Sequence, residues 1–405
     1  MENYNNNINC ECGKCHKVSI KEISVGDRVF DDFLVNLEKR KCKKILLVSD
    51  DDYDILEKIC LEINKRKICF CKIVFKKIKA SIMSSDLIDD YGQDLVIAVG
   101  GEELISVLKY YSYSLCCSII IFAFNNFIDF TFSRFSRLYD GVLFNVYETQ
   151  CPEEIYVPSQ SFKYSILQSY YLASKHFAVF DNILEELIYN VGGCKRQKDF
   201  FKQTMNEYMK KKGDDDRCIW INNTWALIRI GLAMSFFGKT TGFYGGEYLF
   251  ATLMQAQCKG ADFLELMTVS QKLIINTYAT FLNYPQAFQS VNLNKHIQKL
   301  SKLLKTSPTE TLNRIVGAKF VLFDREIINR VQNYIPYLKE VFKKCSKSFF
   351  VITTSINEPL NVLKKYRFDG KRVENTFALT PVVSQKVTTL HLMACFGYMD
   401  KLFSE

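Results

Sequence analysis

Two short stretches carry residues whose types and spacing can do chemistry. Cys10-Glu11-Cys12-Gly13-Lys14-Cys15-His16 puts three thiols and an imidazole within seven residues, a ligand set suited to zinc. Structural zinc sites usually pair two such clusters well apart in the chain. No second dense cluster occurs, so reduced packing or surface cysteines stay open beside a metal. In the other stretch, Leu95 to Val99 is a Val/Ile-rich run that ends in Gly100 and Gly101, and Leu104, Ile105, Val107 and Leu108 follow at helical spacing. A strand, a tight turn and a helix start of this kind bring backbone N–H groups up to an anion, as α/β proteins do with nucleotide phosphates. Glu102 and Glu103 then place two negative charges where a phosphate would sit. Asp50 stands just past an earlier strand, where such folds hold a ribose hydroxyl.

These residues need a scaffold, and the pattern supplies an α/β one. Val18–Val25 alternates, Lys44–Ser49 and Ile68–Phe75 read as strands, and Val29–Leu37 and Asp54–Asn64 have helical spacing. A helix through Ser112 and a strand at 118–122 continue the alternation, which predicts a parallel, doubly wound sheet. After Pro152 the texture turns helical, over 159–190, 200–211, 223–237 and 249–278. Ser307-Pro308-Thr309-Glu310 reads as a helix start, Ser348–Thr354 as a late strand and Lys210–Asp216 as an exposed loop. The expected division is an α/β domain at 1–151 and a mostly helical domain at 152–405.

Composition narrows the partners. The chain has 405 residues, enough for two cores, and its net charge of +9 is spread in short groups rather than a stripe, which argues against nucleic acid. Fifteen cysteines without an apolar leader at Met1–Asn9 point to a reducing cytoplasm. The apolar segment 115–132 is interrupted by Asn125, Asn126 and Asp129, leaving far fewer than the ~20 residues a membrane span needs.

Several motifs together resemble one family. Cys-x-Cys-Gly-x-x-His at 10–16, Ile-x-x-Ile-x-Val-Gly at 20–26, Leu-Leu-Val-Ser-Asp-Asp at 46–51 and Val-Ile-Ala-Val-Gly-Gly at 96–101 are similar to sn-glycerol-1-phosphate dehydrogenases. So are Gly-Leu-Ala-Met-Ser-Phe-Phe-Gly at 231–238, Gly-Gly-Glu at 245–247 and the segment 389–402. These enzymes belong to the iron-containing alcohol dehydrogenase and dehydroquinate synthase-like group. The resemblance implies a Rossmann-like half binding NAD or NADP, and a helical half carrying zinc, nickel or iron. The metal polarises a ketone or alkoxide while hydride moves between the nicotinamide and dihydroxyacetone phosphate or sn-glycerol 1-phosphate.

The same resemblance exposes departures. The family's metal is held by an aspartate and two histidines, and the corresponding positions here are Phe177, Tyr248 and Lys259. Phenylalanine cannot ligate, and an ammonium repels a divalent cation. His176 is either a satisfied histidine or a displaced ligand. In the cofactor half, a third glycine and a small hydroxyl residue are replaced by Glu102 and Glu103. Of the Pro-Thr-x-x-Ser-x-Asp-Gly run only Asp129 remains, in Ala123–Phe130. The cofactor-binding candidates carried over are Asp50, Gly100, Gly101, Lys109 and Asp129. The catalytic candidates are Tyr248 and Lys259. The expectation is a homologue that has lost the metal site, has weakened NAD(P) binding and little or no dehydrogenase activity. It would act by binding a small phosphorylated metabolite or a partner, either a second copy of itself or an active paralogue. The alternative is an active NAD(P)-dependent oxidoreductase of dihydroxyacetone phosphate or a similar polyol phosphate, with a shifted or metal-free site.

Overall fold

The computed structural model describes residues 8–13, 15–76, 78–140, 143–189, 194–210, 215–258, 260–283, 293–311, 313, 325–352, 359–382, 386–395 and 398. The chain forms two compact units, each discontinuous in sequence. One comprises Met1–Asp140, Asn145–Ser169 and Cys194–Thr240; the other comprises Gly141–Phe144, Tyr170–Gly193 and Thr241–Glu405.

In the α/β unit, β1 (Ile8–Asn9) and β2 (Cys15–His16) form a small antiparallel hairpin. The main sheet contains β3 (Glu22–Gly26), β4 (Lys44–Ser49), β5 (Cys69–Val74), β6 (Leu95–Gly100), β7 (Ser118–Ala123) and the later strand Glu154–Pro158. From edge to edge the order is β3, Glu154–Pro158, β7, β6, β4, β5, and every pairing is parallel. All six residues of β6 are buried, as expected for a central strand of a parallel sheet covered on both faces. Phe33 from helix α1 (Val29–Lys39), Ile59 from α2 (Asp54–Lys65), and Leu47, Ile97, Phe122 and Tyr156 from the strands build one apolar cluster. A short helix α3 (Ile82–Ser85) precedes β6, and α4 (Glu102–Ser114) follows it directly.

Between β7 and Glu154–Pro158, a one-turn helix at Asp129–Phe132 leads into a two-stranded sheet of Phe135–Asp140 and Leu143–Glu148. Helix α5 (Ser165–Tyr189) follows, then α6 (Lys195–Lys210) and α7 (Asp216–Phe237). Asp215 caps α7 by accepting the Cys218 N–H at 2.8 Å, and Gly238 ends it in the left-handed region at φ +63°. Gly231 lets α7 lie against the one-turn helix: a Cβ there would overlap the Asp129 carbonyl.

The second unit is helical. The apolar run 249–278 is two helices rather than one, α8 (Gly246–Gln257) and α9 (Phe263–Asn283), with Gly260 at φ +77° in the break. Ser307 accepts the Glu310 N–H at 3.1 Å, the cap its sequence predicts. The late strand at 348–354 is not formed: residues 348–352 lie within the helix Arg325–Ile352, and 353–354 lie outside the described residues. The run Phe349-Phe350-Val351-Ile352 favours a strand locally, but it continues a 28-residue helix with a pronounced apolar face, and propagation overrides propensity. Among the described residues, no helix is long and apolar enough to cross a membrane.

Candidate functional site

The β6–α4 turn is built as the sequence suggests, with strand, Gly100 and Gly101, then a 13-residue helix, but its glycines make room for the protein's own side chains. A Cβ on Gly100 would lie 2.5 Å from the Asp50 carboxyl atoms, and one on Gly101 would lie 2.6 Å from Asn126 Oδ1. The Gly101 N–H donates to Asp50 Oδ2 at 2.7 Å, and the Tyr53 hydroxyl donates to Oδ1 at 2.7 Å. Tyr53 stacks on Phe124 with ring centroids 4.2 Å apart and accepts from the Asn125 amide. Asp50 thus fills the anion position of the turn with an internal carboxylate. Burial raises its pKa, while the N–H and hydroxyl donors act in the opposite direction.

Glu102 does not block the turn as its sequence position suggests. Glu102 turns inward: Oε1 accepts from Ser106 at 2.9 Å, and Oε2 pairs with Arg137 at 2.9 Å, both partners being fully buried. Glu103 is half-buried, and burial followed by repulsion from Glu102 raises its pKa to about 7. Lys109 is also turned away from the glycines. Its ammonium donates to the carbonyls of Phe130 at 2.6 Å, Ser133 at 2.9 Å and Phe135 at 2.5 Å. Burial lowers its pKa to about 7, and the three carbonyls use each proton of the charged form. Asp129 is fully buried at the start of the adjoining one-turn helix. Of the five cofactor candidates, Asp50, Gly100 and Gly101 come together, whereas Lys109 and Asp129 belong to the packing of the 129–135 segment.

The helical unit holds a second constellation. Asp181, four residues after Phe177 on α5, is fully buried. Its Oδ1 accepts from the Thr389 N–H at 2.9 Å and hydroxyl at 3.0 Å; its Oδ2 accepts from the Gly246 N–H at 2.8 Å and the Tyr278 hydroxyl at 3.2 Å. Glu247, in the first turn of α8, is equally buried, and neither of its oxygens has a hydrogen-bond partner among the described residues. A Cβ on Gly245 would lie 2.6 Å from Glu247 Oε2 and 2.9 Å from Asp181 Oδ2, so the two carboxylates flank the same point of the backbone. Desolvation first, then Asp181, raises the Glu247 pKa to about 8, and desolvation also raises Asp181.

The counter-charges are two buried lysines. Lys175 donates to the Tyr171 hydroxyl and the Phe243 carbonyl, each at 2.9 Å, and lies 4.2 Å from the centroid of the Tyr171 ring. Lys386 donates to Asn182 Oδ1 and the Thr241 carbonyl, and burial lowers its pKa. Tyr248 packs on Tyr244 and Phe263 at 5.0 and 5.4 Å, and Phe177 on Phe342 at 5.8 Å. Lys259 lies outside the described residues. His176, next to Phe177 on α5, is half-buried, and desolvation lowers its pKa. The sequence reading missed Asp181, Lys175 and Lys386. The one available signal was the i, i+4 spacing of Phe177 and Asp181.

The resemblance to metal-dependent dehydrogenases implies a divalent metal in the helical half, and the donors present here do not fit one. Lys175 and Lys386 put positive charge near Glu247, and of the positions that correspond to the family's metal ligands Phe177 and Tyr248 are aromatic, while Lys259 lies outside the described residues. Among the described residues, three or more His, Cys, Asp or Glu donors converge at one place, in the α/β unit: Cys10, Cys12, His16 and Cys194. Cys15 lies in β2, and its side chain is outside the described set.

No protein-family model matches the sequence, and no curated protein does either. Solved structures do match over nearly the whole chain. An archaeal halo-thermophilic alcohol dehydrogenase from a Red Sea brine pool is 9% identical, with 95% of this chain and 98% of that one covered at a TM-score of 0.56. NADH-dependent butanol dehydrogenase A from Thermotoga maritima is 9% identical, with 94% and 97% covered at 0.54. A probable glycerol dehydrogenase from Sinorhizobium meliloti is 10% identical, with 95% and 97% covered at 0.52. Identities this low establish architecture alone, and with the parallel six-stranded sheet and the helical unit they give the chain the two-domain fold of iron-containing alcohol dehydrogenases and dehydroquinate synthase-like proteins.

Proposed function

We propose that this protein is a divergent relative of NAD(P)-dependent, metal-dependent sn-glycerol-1-phosphate dehydrogenases in which internal side chains stand in for both the cofactor phosphates and the metal. The observation that carries the reading is Asp50: its carboxylate takes the Gly101 N–H that a pyrophosphate would need. The helical unit supports it independently, because Lys175 and Lys386 supply the positive charge beside Asp181 and Glu247. Such a protein works by binding, in the cytoplasm, a small phosphorylated metabolite, a second copy of itself or an active paralogue. Purified protein supplied with zinc, nickel or iron and NADH should not oxidise the cofactor in the presence of dihydroxyacetone phosphate. Metal-dependent turnover would overturn the reading.

A second reading rests on Glu247, a buried acid with a pKa of about 8 beside Tyr248 and Lys175. These groups suit metal-free acid–base work on a carbonyl, with a lysine stabilising the developing alkoxide. NADH oxidation that persists under chelation and is lost in Glu247→Gln would select this reading over the first.

A further inference from the structure

We propose that Cys10, Cys12, His16 and Cys194 form a structural zinc site that clips the N-terminal hairpin to the start of α6. The chain brings the fourth ligand from 184 residues away, which is why the first sixteen residues read as an incomplete site. Cys10 and Cys12 lie in the tight connection between β1 and β2, closed by the Gly13 N–H donating to the Cys10 carbonyl at 2.9 Å with Gly13 at φ +76°. Cys194 immediately precedes α6, and its carbonyl accepts the Lys198 N–H at 3.2 Å.

The spacing of the donor atoms fits a tetrahedral ion. Zinc–sulfur bonds of about 2.3 Å and zinc–nitrogen bonds of about 2.05 Å at tetrahedral angles give edges of about 3.8 Å between sulfurs and about 3.6 Å between sulfur and nitrogen. Here Cys10 Sγ to Cys194 Sγ is 3.6 Å, Cys12 Sγ to His16 Nε2 is 3.3 Å and Cys194 Sγ to His16 Nε2 is 3.9 Å. All four donors lie within 4.8 Å of one another. A disulfide requires sulfurs about 2.05 Å apart, so Cys10 and Cys194 stand at ligand rather than bond distance.

The imidazole is held ready for this role. His16 Nδ1 lies 3.1 Å from the Phe236 carbonyl, which accepts a hydrogen bond from an Nδ1–H and so leaves the Nε2 lone pair facing the sulfurs. Its ring is buried and packs on Phe236 and Phe237, so it cannot swing out without opening the α7 terminus. On binding, three thiols release three protons to solvent and the ion joins three thiolates and one neutral imidazole, leaving a centre of net charge −1. The N-terminus of α6 and nearby Arg196 face that negative charge. Exposed Cys12 and half-buried Cys10 leave an entry path from solvent.

The test uses the full chain, purified under reducing conditions without chelator. Zinc measured by plasma mass spectrometry should be one per chain, and competition against a chromophoric chelator should show Cys194→Ser weakened by at least about 100-fold, more than losing an outer hydrogen-bond partner brings. Because that variant can fail to fold, the wild type is also titrated with cobalt(II), which should give the intense visible absorption of tetrahedral thiolate coordination, saturating at one equivalent. Wild type that takes up neither metal, a Cys194→Ser variant that keeps its zinc, or a Cys10–Cys194 disulfide in reduced preparations would each overturn the site. The site lies within the α/β unit, so its failure leaves the reading of Asp50 and the buried lysines untouched.

Discussion

Replacing Glu247 by glutamine removes a buried ionisable group while keeping its shape, and the consequence can be worked out from its surroundings. The carboxyl is fully buried, is bonded by no described donor and lies beside Asp181, so its pKa rises from 4.5 to about 8. A carboxyl whose folded pKa exceeds its unfolded one binds more protons in the native state between those values. The wild type should therefore lose stability as pH climbs from about 4.5 through about 8. At 1.36 kcal/mol for each tenfold difference in proton affinity, the full penalty at alkaline pH is on the order of 4–5 kcal/mol. Lys386, lowered by burial, has the opposite sign up to the ordinary lysine range, and the charged groups titrate as one cluster. The difference between wild type and Glu247→Gln isolates the glutamate. Both tryptophans, Trp220 and Trp225, belong to the α/β unit, so urea unfolding should be followed by far-UV circular dichroism, which includes the helices of the second unit that tryptophan fluorescence would miss. The two proteins should agree to within about 1 kcal/mol near pH 5, and the variant should be the more stable by a few kcal/mol at pH 9. Parallel pH profiles, or a variant less stable at pH 9, would show that Glu247 is ionised and satisfied in the fold.

Other substitutions test the packing around the turn. Glu102→Gln leaves Arg137 buried without its carboxylate and should cost about 3–5 kcal/mol of stability in urea unfolding. Lys109→Met strips three carbonyls of their shared donor and should destabilise by about 3 kcal/mol or more, with no change in the affinity for phosphate-bearing ligands. An altered phosphate affinity there would restore Lys109 to the cofactor site. Gly231→Ala drives a methyl into the Asp129 carbonyl and should lower stability by about 1–3 kcal/mol, read as a fall in melting temperature.

The scaffold was legible in the sequence where burial is uniform. β4, β6 and β7 are continuous apolar runs because both faces of a parallel sheet are covered, and their bounds follow from composition. Side-chain direction was not legible. Glu102 and Glu103 sit at the N-terminus of α4 in either case, and only the fold reveals that Arg137 draws Glu102 inward while Asp50 reaches the glycines from another strand. Convergence from far along the chain was equally hidden. Cys194 joins the first cysteines, and Lys386 joins Asn182, across about two hundred residues with no local signal. The late strand does not form because its β-branched and aromatic residues belong to a long amphipathic helix whose continuation outweighs their local preference.

On the proposed reading, the chain's own Asp50 carboxylate occupies the dinucleotide's place. Equilibrium titration of NADH fluorescence with wild type and Asp50→Ala addresses it most directly. Wild type should show no saturable binding at millimolar cofactor. Asp50→Ala, which frees the Gly101 N–H for a charge-assisted bond worth about 1.5–3 kcal/mol, should gain about 10- to 100-fold in affinity. Micromolar binding by the wild type that is lost in Asp50→Ala would contradict the account and make Asp50 a cofactor ligand.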